Sequence, residues 1–202
     1  KFANKLFYMF HSKFNPTNTR IMQVFRALPK KTRKWEPMLF TFKTDGSDIQ
    51  LCVTNEQWAP GGHHPNWHPD GEHIIMNLKP DRQTMRFCMM KYDGSDFTVL
   101  SDSILGSGHP SVTPDTRYLV TDCYVHEKEL LKGIPNEEVP IRLIDLRNQT
   151  ERHVCTIYTL GLRGTLRLDP HPAWGRDYKK VCFNGAPNGA RQVFVADLSG
   201  VF

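Results

Sequence analysis

One short pattern recurs four times along the chain and limits the folds that the chain can adopt. A histidine opens each copy, at His11, His64, His109 and His171, and a hydrophobic strand-like segment follows it. A proline stands five residues after the histidine in the first three copies, whereas Arg176 takes that place in the fourth. The second copy, GHHPNWHPDGEHIIMNL, predicts a strand, a Pro-Asp-Gly turn and another strand. The pattern indicates four equivalent structural units.

Each unit continues with further strand-like segments separated by turn-forming residues. An Asp-Gly-Ser-Asp sequence predicts a turn at 45–48 and again at 93–96, a spacing of 48 residues that lies in the range of propeller blades. No long amphipathic segment separates the predicted strands, which argues against β-α-β units and favours antiparallel meanders. The third predicted strand of every unit closes on an acidic residue: Asp45, Asp93, Asp145 and Asp197.

Four strands per unit at this repeat length predict an all-β fold, a β-propeller built of four-stranded antiparallel blades. The insertion at 125–140 predicts one short helix that ends at Gly133. Because about four blades are visible and the fourth stops before its last strand, we expect a larger propeller, with a closed four-bladed ring as the alternative. The predicted domain is residues 1–202, with blade units at approximately 11–54, 64–101, 109–158 and 171–202.

Composition restricts the possible partners. The net charge of +5 predicts mild attraction for polyanions, and no stripe of basic and aromatic residues points to nucleic acid. No apolar run approaches the roughly 20 residues that span a bilayer, so we expect no membrane partner. The five cysteines are widely spaced in apolar segments without a Cys-x-x-Cys pair, which predicts buried thiols rather than a disulfide framework. Compartment and oligomeric state are not constrained.

The four unit-opening histidines are the strongest candidates for a functional site. The first strand of a blade lies nearest the propeller channel, so equivalent positions on successive first strands converge on one rim. Imidazoles gathered there suit proton transfer or a transition metal. The alternative is that each His-Pro pair only caps its strand, but four equivalent histidines favour a joint site.

Other residues are candidates by position. Arg26 ends the second strand of the first unit after an apolar run, where it either clamps an anion or extends its head into water. Asp169 lies two residues before His171 and supplies a carboxylate on the same side of an extended segment. Cys123 is either a metal ligand or a buried thiol, and the neighbouring Asp122 is likewise either a metal ligand or a structural residue. Trp67 and Trp174 share one slot in their repeats, three residues after the histidine, which predicts packing between blades rather than a sugar platform.

The units resemble the TolB-type propeller repeat, whose core motif is HPxWSPDG and which stands here as HPNWHPDG, HPSVTPDT and HPAWGRDY. Over nearly the whole chain, segments such as HSKFNPTNTRIMQVFR, GHPSVTPDTRYLVTD and DPHPAWGRDYKKVCFNGAPNGARQVFVADLS are similar to the propeller polysaccharide lyases, namely the oligogalacturonate and ulvan lyases. This resemblance implies part of a seven-bladed propeller, about four of the seven blades, and cleavage of uronic-acid glycans by β-elimination.

The resemblance also implies a divalent metal ion, zinc or manganese. Oligogalacturonate lyases hold a metal on channel-facing histidines, and His109 and His171 stand in matching places. A glutamine and a second histidine of that site are replaced here by Leu166 and Asp169. Ulvan lyases carry a structural zinc, for which His109, Cys123 and His171 are the natural candidates. The predicted metal ligands are therefore His109, Cys123, His171 and Asp169.

The predicted function is that of a polysaccharide lyase acting on ulvan or an oligogalacturonate-like glycan, with an anionic oligo- or polysaccharide as the partner. Arg26 or a metal ion is expected to neutralise the uronate carboxylate, and His64 or His11 to serve as the base or the acid. The predicted substrate-binding residues are Arg163, Arg167 and His63. The alternative is a non-catalytic TolB-like propeller that binds a protein or peptide, a function that needs no cluster of titratable groups.

Overall fold

The computed structural model describes residues 5–30 and 34–201, and nearly all of their regular structure is β-strand. Four antiparallel sheets follow one another along the chain, and the strands of each sheet lie side by side in chain order. This up-and-down arrangement is the topology of a propeller blade, so the predicted all-β propeller fold class is confirmed. The chain divides into two compact units, residues 1–100 and 101–202, and each unit contains two sheets.

The first unit contains two four-stranded sheets. A one-turn helix that the sequence did not predict, α1 (Asn55–Trp58), lies between them and is capped by Thr54, whose hydroxyl accepts the Gln57 amide. The strands of the first sheet are β1 (Lys5–Phe14), β2 (Arg20–Pro29), β3 (Glu36–Lys43) and β4 (Gln50–Val53). Those of the second sheet are β5 (Gly62–Trp67), β6 (His73–Leu78), β7 (Arg86–Lys91) and β8 (Thr98–Val99).

The second unit contains one four-stranded and one three-stranded sheet. The first is formed by β9 (Ser111–Val112), β10 (Tyr118–Thr121), β11 (Glu138–Asp145) and β12 (Thr150–Tyr158). The second is formed by β13 (Ala173–Trp174), β14 (Lys180–Gly185) and β15 (Gln192–Asp197), and a 3₁₀ turn at Gly164–Leu166 precedes it. Within residues 5–30 and 34–201, no helix has both the length and the apolar character to cross a bilayer.

The helix predicted in the insertion at 125–140 is wrong, because the segment forms successive turns. The amides of Leu130 and Leu131 both donate to the carbonyl of Glu127, so the hydrogen bonds do not continue as a helical ladder. The Glu127 carboxylate instead accepts the Tyr124 amide and the Ser107 hydroxyl. A segment this short gains too few hydrogen bonds to offset helix nucleation, and tertiary contacts decided its conformation.

In each unit the core lies between the two sheets, as alternation of apolar side chains requires. In the first unit, Met22 and Val24 on β2 belong to one cluster with Ile74 and Met76 on β6, and all four are fully buried. Full burial of each such side chain contributes about 1.5–3 kcal/mol to folding. In the second unit the corresponding cluster joins Val120, Ile141 and Leu143 to Val181 and Phe183.

Two tryptophans connect the paired sheets by hydrogen bonds. The indole N–H of Trp67 on β5 donates to the carbonyl of Lys13 on β1 at 2.9 Å, and that of Trp174 on β13 donates to the carbonyl of Ser111 on β9 at 3.1 Å. Each acceptor lies two residues after the histidine of the preceding blade. The two equivalent tryptophans therefore pack one blade against the next, in agreement with the sequence-based interpretation.

The prediction that the cysteines are buried small hydrophobic residues is confirmed for three of the five. Cys52, Cys88 and Cys123 are buried, and burial raises the pKa of each to about 12. Cys155 is half-buried, Cys182 is exposed, and all five cysteines are free. The three buried thiols are thus protonated and unreactive at neutral pH.

Replacement of Trp67 by Phe removes the hydrogen bond between blades and part of a buried ring, and we expect a loss of about 1–3 kcal/mol in the free energy of unfolding. Trp174→Phe should have an effect of the same size, because its bond is equivalent. Trp35→Phe, at a ring that is 41% exposed, is the control and should change little. Urea denaturation measures all three, and equal effects for Trp67→Phe and Trp35→Phe would contradict the proposed role of the bond.

The Asp70 carboxylate of the Pro-Asp-Gly turn accepts the amides of Glu72 and His73, at 2.8 and 2.9 Å, and contacts the His73 ring at 2.6 Å. Partial burial acts to raise the pKa of Asp70, but the hydrogen bonds outweigh it and lower the pKa to about 2. A carboxyl with a depressed pKa stabilises the folded state above its unfolded pKa, roughly 3.9. That contribution is lost as the pH falls towards 2.

We therefore expect Asp70→Asn to lower stability at neutral pH and to flatten the decline of stability between pH 4 and pH 2. Glu72→Gln, a change of the exposed neighbour, controls for the loss of one surface charge. Thermal denaturation across this pH range measures both variants. An unchanged slope in Asp70→Asn would contradict the assigned role of the carboxylate.

Candidate functional site

Three of the four unit-opening histidines have a left-handed backbone conformation. The φ angles are 54° at His11, 55° at His64 and 49° at His171. His11 and His64 lie in β-bulges, where the pairing shifts between Phe10 and Lys13 and between His63 and Asn66. A left-handed φ is unfavourable for a residue with a side chain, and bulges change the direction in which a side chain points. The surrounding sheets therefore stabilise this backbone conformation and fix the direction of each histidine side chain.

The first unit brings His11 and His64 together from adjacent blades. Their ring centroids are 6.0 Å apart and the rings are tilted by 32°. His63 is also close, with its ring 5.1 Å from that of His64 and its Nδ1 3.2 Å from the side-chain amide of Asn77. Both predicted acid–base residues and one predicted substrate-binding residue thus form one group with solvent access.

Arg26 lies near this group but does not contact the histidines directly. Its guanidinium carbon is 4.8 Å from the Phe10 ring centroid, and the Phe10 ring is 4.7 Å from that of His11. Arg26 also donates a hydrogen bond to the Tyr8 hydroxyl at 3.1 Å. One aromatic ring therefore separates the predicted carboxylate clamp from the predicted acid–base pair.

The second unit brings His109 and His171 into closer contact. Their rings are stacked with centroids 3.5 Å apart and planes 29° apart. Between their backbones lies Asp122, which is completely buried at the end of β10. Its Oδ1 accepts the His109 amide at 2.8 Å, and its Oδ2 accepts the His171 amide at 3.0 Å. A single carboxylate therefore fixes the histidines of two adjacent blades.

Asp122 also determines which ring nitrogen of His109 donates a hydrogen bond to it. Burial acts to raise the pKa of Asp122, but the hydrogen bonds and charge of His109 and the His171 amide outweigh it, so the pKa is lowered and the group is ionised. An ionised carboxylate only accepts hydrogen bonds, and His109 Nδ1 lies 2.8 Å from Oδ1. Nδ1 thus donates a hydrogen bond to Asp122, and a metal ion would bind His109 at Nε2. For His171, partial burial of the ring and the nearby His109 lower the pKa.

These residues fit a divalent transition metal. One potential ligand atom each from His109, Asp122 and His171 lies within 4.8 Å of the others. Imidazole nitrogen with carboxylate oxygen suits zinc, manganese or iron. A carboxylate that accepts a hydrogen bond from the non-ligating ring nitrogen of a histidine also orients that histidine as a ligand. Asp122 is positioned for either role.

Two predicted metal ligands lie outside this group. The Cys123 thiol is buried, burial raises its pKa to about 12, and it is not among the three side chains whose potential ligand atoms lie within 4.8 Å of one another. The Asp169 carboxylate pairs with Arg167, with Oδ2 2.6 Å from a guanidinium nitrogen. Sequence reasoning gave Asp122 too little weight. Its position directly before Cys123 at the end of a strand was the available signal.

Of the two predicted substrate-binding arginines in the second unit, Arg167 lies beside His171. Arg167 is held by Asp169 and by the Tyr124 ring, 5.0 Å from its guanidinium carbon. Together with His171, Arg167 and Asp169 line a cavity of about 390 Å³. Arg163 is exposed at the start of the 3₁₀ turn. The structure thus places Arg167 at a cavity wall and Arg163 at the surface.

Comparison with solved structures identifies the fold. TolB from Acinetobacter baumannii aligns with 97% of this chain and 39% of its own, with a TM-score of 0.60 and 16% identity. An oligogalacturonate lyase in complex with manganese aligns over 95% and 48%, with a TM-score of 0.69 and 16% identity. The oligogalacturonate lyase from Vibrio parahaemolyticus aligns over 94% and 49%, with a TM-score of 0.68 and 14% identity.

This chain spans less than half the length of each of these three structures. No protein-family model matches the sequence, and a search of curated proteins finds no match. At identities of 14–16% the likeness establishes a TolB-like β-propeller fold and nothing finer.

Gly108 provides a test of how Asp122 is held. It has φ +64°, and a Cβ there would overlap the carboxylate and the carbonyl of Asp122. Gly108→Ala should therefore cost about 1–2 kcal/mol for the left-handed backbone and about 1–3 kcal/mol more for displacing Asp122.

Gly133→Ala is the matched control, because Gly133 also has a left-handed φ, +81°, but open space around its Cβ. We expect Gly133→Ala to lose only the backbone contribution in chemical denaturation. If the two variants lose equal stability, Gly108 does not support the Asp122 carboxylate sterically.

Proposed function

We propose that this protein is a polysaccharide lyase that cleaves a uronic-acid-containing glycan by β-elimination. The observation that carries the proposal is the pairing of His11 with His64, from equivalent positions on adjacent blades, in strained bulges. Backbone strain that persists in a folded protein is commonly associated with function. A surface that only binds a protein or peptide does not require two neighbouring imidazoles.

β-Elimination requires three actions on the sugar. The C5 proton leaves, the electron pair of that bond forms the C4–C5 double bond, and the bond from C4 to the leaving O4 breaks. One imidazole of the His11–His64 pair accepts the C5 proton in its neutral form. The other, in its protonated form, donates a proton to O4. Imidazole can take either role, because its ordinary pKa of roughly 6.5 lies near neutral pH.

Arg26 has the role of stabilising charge. Its guanidinium pairs with the uronate carboxylate, which is conjugated with C5 and gains negative charge as the proton leaves. The stack of Arg26 on Phe10 holds the guanidinium on the same side of the blade as the His11 ring. His63 contributes a further polar contact beside His64.

The His109–Asp122–His171 group would hold zinc or manganese. A divalent ion bound there would supply positive charge that polarises a carboxylate or carbonyl oxygen. Asp122 orients His109 through Nδ1 and fixes the His171 backbone, so the two imidazoles are arranged before any ligand arrives. The manganese in one structurally similar oligogalacturonate lyase supports the choice of ion.

The test is the ultraviolet absorbance of the unsaturated uronate, which hydrolysis does not produce. Polygalacturonate, oligogalacturonides and ulvan are incubated with the protein, with Mn²⁺ or Zn²⁺ and after chelation. We expect absorbance to rise on one of these glycans. His64→Ala and His11→Ala should each lower kcat by roughly 10²–10⁴-fold, since each removes an acid or base.

His153→Ala is the control, because His153 is an exposed histidine on β12. It should keep full activity. No absorbance change on any of the glycans, with metal present and the protein folded, would overturn the proposal and favour a propeller that binds a protein or peptide. An equal loss in His153→Ala and His64→Ala would remove the acid–base assignment.

A further inference from the structure

The first blade extends beyond the second at one end. β1 and β2 have ten residues each, whereas β5 and β6 have six. β1 begins six residues before its histidine, His11, but β5 begins only two residues before His64. The extra length leaves part of the blade face uncovered, and Leu6 and Tyr8 are 64% and 41% exposed.

An aromatic strip runs along this uncovered face and ends at the histidine pair. We define the strip as Trp35, Tyr8 and Phe10. Trp35 meets the Tyr8 ring edge-on at 5.1 Å, and Tyr8 stacks on Phe10 at 5.3 Å. Phe10 then contacts the His11 ring at 4.7 Å. The strip is therefore continuous with the acid–base group of the proposed function.

Arg26 gives the strip a positive charge. It donates to the Tyr8 hydroxyl at 3.1 Å and lies over the Phe10 ring. Among residues 5–30 and 34–201, no carboxylate forms an ion pair with Arg26, whereas Lys5 on the neighbouring strand β1 pairs with Glu36. The guanidinium is held in place by its contacts with aromatic residues, and its positive charge can pair with an anionic ligand.

We propose that the aromatic strip is a sugar-binding subsite for the sugar next to the one that reacts, while Arg26 beside the strip holds the carboxylate of the reacting uronate; this rests on the proposed function. A pyranose ring has apolar C–H faces and polar edges, which match aromatic rings that carry a hydroxyl or an indole N–H. Trp35 and Tyr8 present exposed aromatic surface to the neighbouring sugar, and Arg26 pairs with the carboxylate of the reacting uronate. Exposed aromatic area beside a fixed cation thus selects an acidic sugar over a neutral one.

Other partners fit this surface less well. The strip consists of three rings, and a membrane or protein interface is usually broader than that. Its continuity with His11 places a bound sugar beside the acid–base group. The strip therefore adds affinity for a chain of several sugar units, and it adds little for a single one.

The experiment measures binding of trigalacturonate by calorimetry in the His64→Ala background, which prevents turnover. Trp35→Ala and Tyr8→Ala should each weaken binding roughly tenfold, since a stacked ring is lost. Arg26→Gln should weaken trigalacturonate binding at least as much, while binding of a neutral galactotriose should be unchanged. Phe97→Ala is the matched control, because Phe97 is also a 41% exposed aromatic residue of the first unit but lies outside the strip.

The outcomes separate this inference from the proposed function. If Trp35→Ala and Phe97→Ala bind trigalacturonate equally well, the subsite is wrong even where the wild-type protein is an active lyase. If the strip variants lose binding while the wild-type protein shows no elimination on any glycan, the subsite stands and the lyase proposal fails. Circular dichroism checks that each variant is folded, and loss of binding in Phe97→Ala as well would overturn the assignment to the strip.

Discussion

Packing of one sheet face against the next is the constraint on which the remaining structure depends. A four-stranded antiparallel sheet has two faces, and burial of its apolar face needs a second sheet. In the first unit that contact joins Met22 and Val24 to Ile74 and Met76. The tryptophan bond to the preceding blade then fixes how far one sheet can slide along the other. Since the acceptor lies two residues after the histidine, the same bond sets the position of the histidine.

The histidine positions show how this packing produces chemistry. A left-handed residue in a bulge costs of order 1–3 kcal/mol, and the sheets on either side must supply that energy. In return, His11 and His64 are directed towards each other from separate blades. Side chains along a regular strand point alternately to the two faces of the sheet. A histidine in such a strand that faced the apolar interface would be covered by the neighbouring sheet. The strain is thus a consequence of placing a polar ring at the edge of an apolar interface.

The two units hold their paired histidines with different neighbouring groups. In the second unit Asp122 is buried and still ionised, because it accepts amide hydrogen bonds from both blades and a ring hydrogen bond from His109. A buried charge is tolerated only when it is paired and hydrogen-bonded in this way. The first unit instead surrounds its histidines with aromatic rings and Arg26. One unit therefore holds its histidines with a buried carboxylate, whereas in the other Phe10 contacts both His11 and Arg26.

The sequence by itself determined the repeat, the strands, the turns and the position of each unit-opening histidine, because these depend on local spacing and backbone preference. It also predicted that all four unit-opening histidines converge on one rim, and the structure shows the pairs His11–His64 and His109–His171 within the two units. Only the tertiary structure decided that Asp122 rather than Cys123 accompanies His109 and His171, and that Phe10 separates Arg26 from His11. The same holds for the turns that replace the helix predicted at 125–140. Each of these outcomes depends on which side chains meet across two blades, and that contact is not encoded in the spacing of residues along one strand.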